Sequence, residues 1–243
     1  MDLSGKVVLV TGGAGGIGLG IAKAFAAEGC RVALAGTTEK NLIKAAESAG
    51  AQSPFLWRIC DIADRDQVAQ LFQWLGDELG TVDILVNSAG INIANRMMSN
   101  IDPAQFDRVM DVNTTGTFNC IHAALPAMRE KGSGLIVNIS SVAGKRAMLL
   151  AGLPYCVSKF ATSALGTFLN QEECANGIRV TNIYPGETNT PILDKRPTPP
   201  PPEKRAKMLQ PEDIAACVVT IAKLPDRAVV PELVITPPHM MLD

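Results

Sequence analysis

Tyr155 and Lys159 stand four positions apart in the run Tyr155-Cys156-Val157-Ser158-Lys159. On a helix that spacing places the phenol and the ammonium on one face, one above the other. A phenol with a pKa near ~10 is a poor acid–base catalyst at neutral pH. A fixed cation beside it favours the phenolate and brings it nearer the working range. The chain has only two tyrosines, so one of them in this setting is informative. An amphipathic helix also yields Tyr-x3-Lys by chance, so the pair needs support from elsewhere in the chain.

A second chemistry lies upstream. Thr11-Gly12-Gly13-Ala14-Gly15-Gly16-Ile17-Gly18 follows an apolar run and opens a helical pattern. That strand–turn–helix context suits a dinucleotide pyrophosphate. Gly12 permits the tight turn, Gly16 lets backbone approach the phosphates, and Gly18 allows close helix–sheet packing. The helix N-terminus adds N–H donors and positive potential. At the end of the second strand, Ala35-Gly36-Thr37-Thr38 carries no acid before Glu39. An acid there would bind a ribose 2′-OH and repel a 2′-phosphate. The hydroxyls of Thr37 and Thr38 accommodate a phosphate, or else cap the next helix. No arginine sits at this turn or in the glycine loop, yet NADP(H) is favoured over NAD(H).

These groups need a scaffold. Short β-branched runs at 6–10, 31–35, 55–60, 83–87, 135–140, 178–183 and 233–235 read as strands. Between them, 17–27, 38–48, 65–79, 103–129, 154–175 and 211–222 read as helices, with Asp64 placed to cap the third. Repeated βα units with short apolar strands imply a parallel sheet covered on both faces. Right-handed crossovers make this an α/β fold: one doubly wound, Rossmann-like sheet in a single domain over 1–243. The segment 185–210 has no clear strand and contains the proline-rich run Arg196-Pro197-Thr198-Pro199-Pro200-Pro201-Pro202. It reads as a loop covering a substrate, stiffened by proline. The alternative is a polyproline ligand of form Arg196-x2-Pro199-x2-Pro202.

A net charge of −2 gives no electrostatic case for nucleic acid or an anionic membrane. No apolar run approaches the roughly 18 residues that span a bilayer. Met1–Lys6 shows no basic region or cleavage site, so a cytoplasmic protein is expected. The six cysteines are scattered without a Cys-x2-Cys pair, and His122 and His239 are isolated, so no metal is expected.

The joint order of motifs resembles the short-chain dehydrogenase/reductase family over nearly the full chain. Thr11-Gly12-x3-Gly16-x-Gly18 resembles its phosphate loop, with Ile17 inside it. Cys60-Asp61-Ile62 resembles its adenine-binding turn. Asn87-Ser88-Ala89-Gly90 resembles its Asn-Asn-Ala-Gly motif, with Ser in the second place. Asn113, Ser141, Tyr155 and Lys159 match its catalytic positions, and Pro185-Gly186-x3-Thr190, with Thr188, matches its nicotinamide loop.

The resemblance implies roles. Tyr155 exchanges the proton with a ketone or secondary alcohol. Lys159 lowers its pKa and binds the nicotinamide ribose. Ser141 orients the substrate oxygen, and Asn113 holds a relay water. Ser-Val-Ala-Gly after strand five favours Ser141, while the gap to Tyr155 keeps Ser140 open. The resemblance also implies a homodimer or homotetramer.

The chain lacks the C-terminal Asp-Gly-Gly run of many members, and Asn176 stands where carrier-protein reductases often have a basic residue. Both departures count against a 3-oxoacyl-thioester reductase. The C-terminal sequence instead resembles a branch with hydroxy-acid and serine dehydrogenases. Met97, Met98, Met148, Leu149, Leu150, Leu153, Pro154, Ile192 and Leu193 are pocket candidates, and Arg96, Lys145 and Arg146 are candidates for meeting an acidic group. A non-catalytic dinucleotide sensor on the same fold is the rival reading. It leaves the catalytic set without a purpose.

Overall fold

The computed structural model describes residues 1–49 and 55–240. Seven strands make one sheet: β1 (Val7–Thr11), β2 (Arg31–Gly36), β3 (Leu56–Ile59), β4 (Ile84–Asn87), β5 (Gly134–Ile139), β6 (Ile178–Pro185) and β7 (Glu232–Ile235). Their order is β3-β2-β1-β4-β5-β6-β7, and every pairing is parallel. The order reverses between β1 and β4, so their carboxyl ends diverge and open a crevice there. The sequence-based bounds hold to within about two residues, as is usual at element ends. β6 runs on to Pro185 because that residue pairs with Ile235 of β7.

The helices are α1 (Gly16–Ala27), α2 (Glu39–Glu47), α3 (Arg65–Glu78), α4 (Pro103–Met110), α5 (Gly116–Lys131), α6 (Leu153–Glu173), the short α7 (Pro202–Arg205) and α8 (Pro211–Ala222). Alternation along β1 shows how both faces are covered. Val8 and Val10 pack with Ile21 and Phe25 of α1 and Val218 of α8. Leu9, pointing the other way, packs with Leu71 of α3 and Ile121 of α5. Asp64 caps α3 by accepting from the N–H groups of Asp66 and Gln67, as its position suggested. Thr38, by contrast, makes no capping bond to α2.

Two departures from the sequence reading bear on the site. The helical region 103–129 contains a π-helical turn, Asp111–Thr115, between α4 and α5. Such wide turns gather at functional sites, and Asn113 lies in this one. The 185–210 excursion is pinned at its base, where Thr188 bridges to Leu209. Within it Pro200 is buried and Arg196 is paired with Glu187 at 3.0 Å, while Pro197, Pro199, Pro201 and Pro202 are exposed. Cys30, Cys60, Cys120 and Cys156 are buried free thiols. No helix among the described residues is long and apolar enough to cross a membrane, and none of the described residues form a group of three metal-ligating side chains.

Candidate active site

The carboxyl ends of the strands border a cavity of about 990 Å3. At one end it meets the turn from β1 into α1. Gly12 has φ +65°, and a Cβ there would stand 2.7 Å from the backbone of Ala89, so the turn and the β4 loop touch directly. Thr11 holds that loop as well: its hydroxyl accepts from the N–H groups of Ser88 and Ala89. Gly18 packs beneath, where a Cβ would meet the Gly12 carbonyl oxygen at 2.5 Å. α1 begins after Gly15 with no side-chain cap. Its first N–H groups border the cavity unclaimed by any side chain, which is the cradle an anionic pyrophosphate requires. Lys23 and Lys44 line the same end.

At the other end lie Ser141, Tyr155 and Lys159. α6 presents Tyr155 and Lys159 on its cavity face, with the Lys159 Nζ 5.5 Å from the centre of the Tyr155 ring. The ammonium donates to the Ile139 carbonyl at the end of β5 at 2.7 Å. Burial pushes the phenol up to about 12, against the opposing pull of the Ser141 hydroxyl and the Arg196 charge. Burial also pushes Lys159 down to about 8. The sequence reading had Lys159 drawing the phenol toward neutrality. In this geometry desolvation is the largest effect on both groups, because each charged form loses water.

The two candidate serines separate cleanly. Ser140 is buried, with its hydroxyl on the Lys159 carbonyl at 3.1 Å and on Ser163 at 3.0 Å. Ser141 accepts from the Ala143 N–H and lies beside the Tyr155 phenol. Of the two, Ser141 is the hydroxyl that acts on the Tyr155 phenol.

Asn113 is fully engaged. Its Oδ1 accepts from the Ile91 N–H at 2.8 Å, and its Nδ2 donates to the Ile91 carbonyl and to Ser158, each at 3.0 Å. It ties the β4 loop to α6 just behind Gly90. Asn87 also lies behind the wall: its Nδ2 donates to Asn138 Oδ1, and Asn138 in turn donates to Asn182 Oδ1. This buried ladder crosses β4, β5 and β6. Asparagine near the end of three successive strands was a visible signal for it.

Gly12, Gly16, Ile17, Ala89, Gly90, Pro185, Gly186, Thr188 and Thr190 all line the cavity. Thr37, Asp61, Ile62 and Asn87 do not. Asp61 accepts from the Ala63 N–H and pairs with Arg108 at 2.6 Å. Of the apolar pocket candidates, Met148, Leu150, Ile192 and Leu193 line the cavity. Met98 points to solvent and is 81% exposed. Lys145 is drawn off to Glu232 and lies over the Tyr184 ring at 4.5 Å, so of the three basic candidates only Arg96 borders the cavity. Arg196 borders it too, and the sequence reading had placed it only in the proline motif.

A doubly wound sheet, an uncapped helix N-terminus at its switch point and a Tyr-x3-Lys face define a dinucleotide-dependent class of protein. The model of the family described as short chain dehydrogenase matches residues 6–200. The chain belongs to that family. It is 35% identical over 242 residues to glycine betaine reductase ATRR of Emericella nidulans, covering 97% of this chain but only 19% of that much longer protein. It is 36% identical to acetoacetyl-CoA reductase of Rhizobium meliloti, with 89% and 90% of the two chains covered. Among solved structures, the closed form of serine dehydrogenase complexed with NADP+ superimposes with a TM-score of 0.87 at 26% identity, over 97% of this chain and 96% of that one.

Proposed function

We propose that this chain interconverts a ketone and a secondary alcohol with a nicotinamide dinucleotide. The observation that carries the reading is the Tyr155 phenol, with Ser141 beside it and Lys159 behind, in one cavity with the uncapped start of α1. When bound, the dinucleotide supplies or accepts the hydride at the substrate carbon. Tyr155 gives its proton to the carbonyl oxygen in reduction and takes it back from the hydroxyl in oxidation. A phenol kept neutral by burial is a competent donor in the reducing direction. Ser141 holds the same oxygen by a hydrogen bond, and Lys159 places positive charge next to the phenolate as it forms. Asn113 acts as a positioning residue, fixing the loop that carries Ala89 and Gly90.

The dinucleotide is held at Gly12, Gly16 and Ile17 and along Pro185, Gly186, Thr188 and Thr190. NADP(H) is preferred, and its extra phosphate is matched by Lys23 and Lys44 rather than by Thr37. Lys44→Glu should then shift the ratio of NADPH to NADH affinity by roughly tenfold toward NADH. An unchanged ratio removes Lys44 from the phosphate site.

The acetoacetyl-CoA reductase relative favours a second reading, a 3-oxoacyl-thioester reductase. A panel of ketones, alcohols and acetoacetyl-CoA with both dinucleotides, followed at 340 nm, separates the two. Tyr155→Phe should lower kcat by ~10²–10⁴-fold with NADPH binding kept. An active variant rules out Tyr155 as the acid. The exposed apolar residues of α5 and α6 support self-association as a homodimer or homotetramer.

A further inference from the structure

Arg96 carries a charge that the proton chemistry does not use. It is 4% exposed, and no carboxylate pairs with it among the described residues. Its Nη1 donates to the carbonyls of Leu150 and Ala151 at 3.3 and 3.4 Å, and its Nη2 donates to that of Lys195 at 3.1 Å. Its Nε has no partner. Those carbonyls offer dipoles but no countercharge, and a buried charge without one is costly. The fold makes room for it nonetheless. Gly152 has φ +84°, and a Cβ there would lie 2.3 Å from the Arg96 stem, so any other residue would displace it.

Arg196 stands on the same cavity with its side chain 16% exposed. Its partner Glu187 is shared with Lys204 at 3.9 Å and His239 at 3.5 Å. Glu187 is the only acid among the described lining residues, set against Lys23, Lys44, Arg96, Lys159, Arg196 and Lys204. The two arginines belong to the Tyr155 end. Arg96 is bonded to the segment that leads into α6, and the Arg196 charge acts on both Tyr155 and Arg96.

We propose that the substrate supplies the missing negative charge: it is a hydroxy acid or oxo acid whose carboxylate lies against Arg96 and Arg196 while its other oxygen meets Tyr155 and Ser141. This rests on the assignment of ketone and alcohol chemistry to the Tyr155 end. Planar guanidinium groups grip a carboxylate with paired N–H donors, and two N–H groups of Arg96 are not taken up by the carbonyls. Met148, Leu150 and Leu193 leave an apolar surface for the carbon chain between the two polar ends.

The test compares 2-, 3- and 4-oxo acids with their methyl esters, using wild type, Arg96→Lys, Arg96→Met and Arg196→Met. The dinucleotide-bound protein is also titrated calorimetrically with the corresponding hydroxy acids. At least one acid should exceed its ester in kcat/KM by roughly tenfold or more, the worth of one charge-assisted hydrogen bond. That ratio should fall by a similar factor in Arg196→Met, chiefly through KM. Should Arg96→Met fail to fold, Arg96→Lys and Arg196→Met still give the ratio. If Arg96 merely pins the flanking loops, its variants lower acid and ester alike and leave the ratio unchanged, which overturns the proposal. So does equal or better use of the esters by wild type, an outcome that leaves the oxidoreductase reading standing. A parallel loss of NADPH affinity in the arginine variants also overturns it, because the charges would then serve the dinucleotide. Absence of both turnover and dinucleotide binding would overturn the oxidoreductase reading and this proposal together.

Discussion

Burial of the Lys159 ammonium works against stability. Its ammonium is buried, bonded to one carbonyl, and drawn down from 10.5 to about 8. A group whose pKa is lowered on folding adds stability only above its unfolded value, and loses it as pH falls through the folded value. The folded chain therefore gains stability between pH ~8 and ~10.5 from this residue, and at pH 7 it bears a cost of up to ~3 kcal/mol. Tyr155 acts in the opposite sense above pH ~10, since its raised pKa costs stability as the phenol ionises. Lys159→Met should accordingly raise Tm at pH 7, abolish turnover, and show a smaller Tm advantage at pH 9.5. Thermal melts at the two pH values check this. A variant less stable than wild type at pH 7 would mean that the Ile139 hydrogen bond outweighs desolvation.

At the scale of elements, the asparagine ladder fixes the relative height of β4, β5 and β6. Asn87 pairs with Asn138, and Asn138 with Asn182, in register across the sheet. α6 lies close against it: a Cβ on Gly166 would stand 2.0 Å from Asn182 Oδ1 and 2.7 Å from Asn138 Nδ2. Gly166→Ala should push α6, and Tyr155 with it, off the strand ends. Asn138→Ala should strand two buried amides at a cost of about 3 kcal/mol, or roughly 6–12 °C in Tm. A loss in Tm below ~2 °C for Asn138→Ala would mean that water fills the gap. The strands, the helices and the glycine turn were legible because period and turn chemistry are local. The ladder was half legible, as Asn87 and Asn138 both close apolar runs. Its geometry depends on register between strands that lie 51 and 44 residues apart in sequence. For the same reason Arg96 was readable as a candidate for an acidic group, whereas Arg196 was not: the loop that brings it to the cavity is set by the Thr188–Leu209 bridge and the Glu187 pair. The rise in the Tyr155 pKa was equally hidden, since burial is a property of the whole fold.

At the scale of the molecule, α6 presents an apolar face outside the cavity. On α6, Val157, Phe160 and Phe168 are 38%, 42% and 65% exposed. With Ala164, which is also exposed, they recur at helical spacing and form a stripe. Phe118 of α5 is 43% exposed and stacks near His122 at 5.7 Å. A monomer rarely leaves so many aromatic rings in water along adjoining helices. The opposite face of α6 carries Tyr155 and Lys159 into the cavity, so a second copy packed on the stripe would hold α6 from behind. A two-fold axis through paired helices is the simplest closed arrangement. Phe168→Glu should therefore shift the sedimentation velocity profile toward monomer at micromolar concentration. It should also flatten the dependence of Tm on protein concentration, since association stabilises only the folded state. If turnover per chain falls on dilution of the variant while its far-UV circular dichroism is unchanged, the pairing supports α6 in the work of the site. A wild-type chain that sediments as a monomer across that range would leave the aromatic stripe without a self-association role.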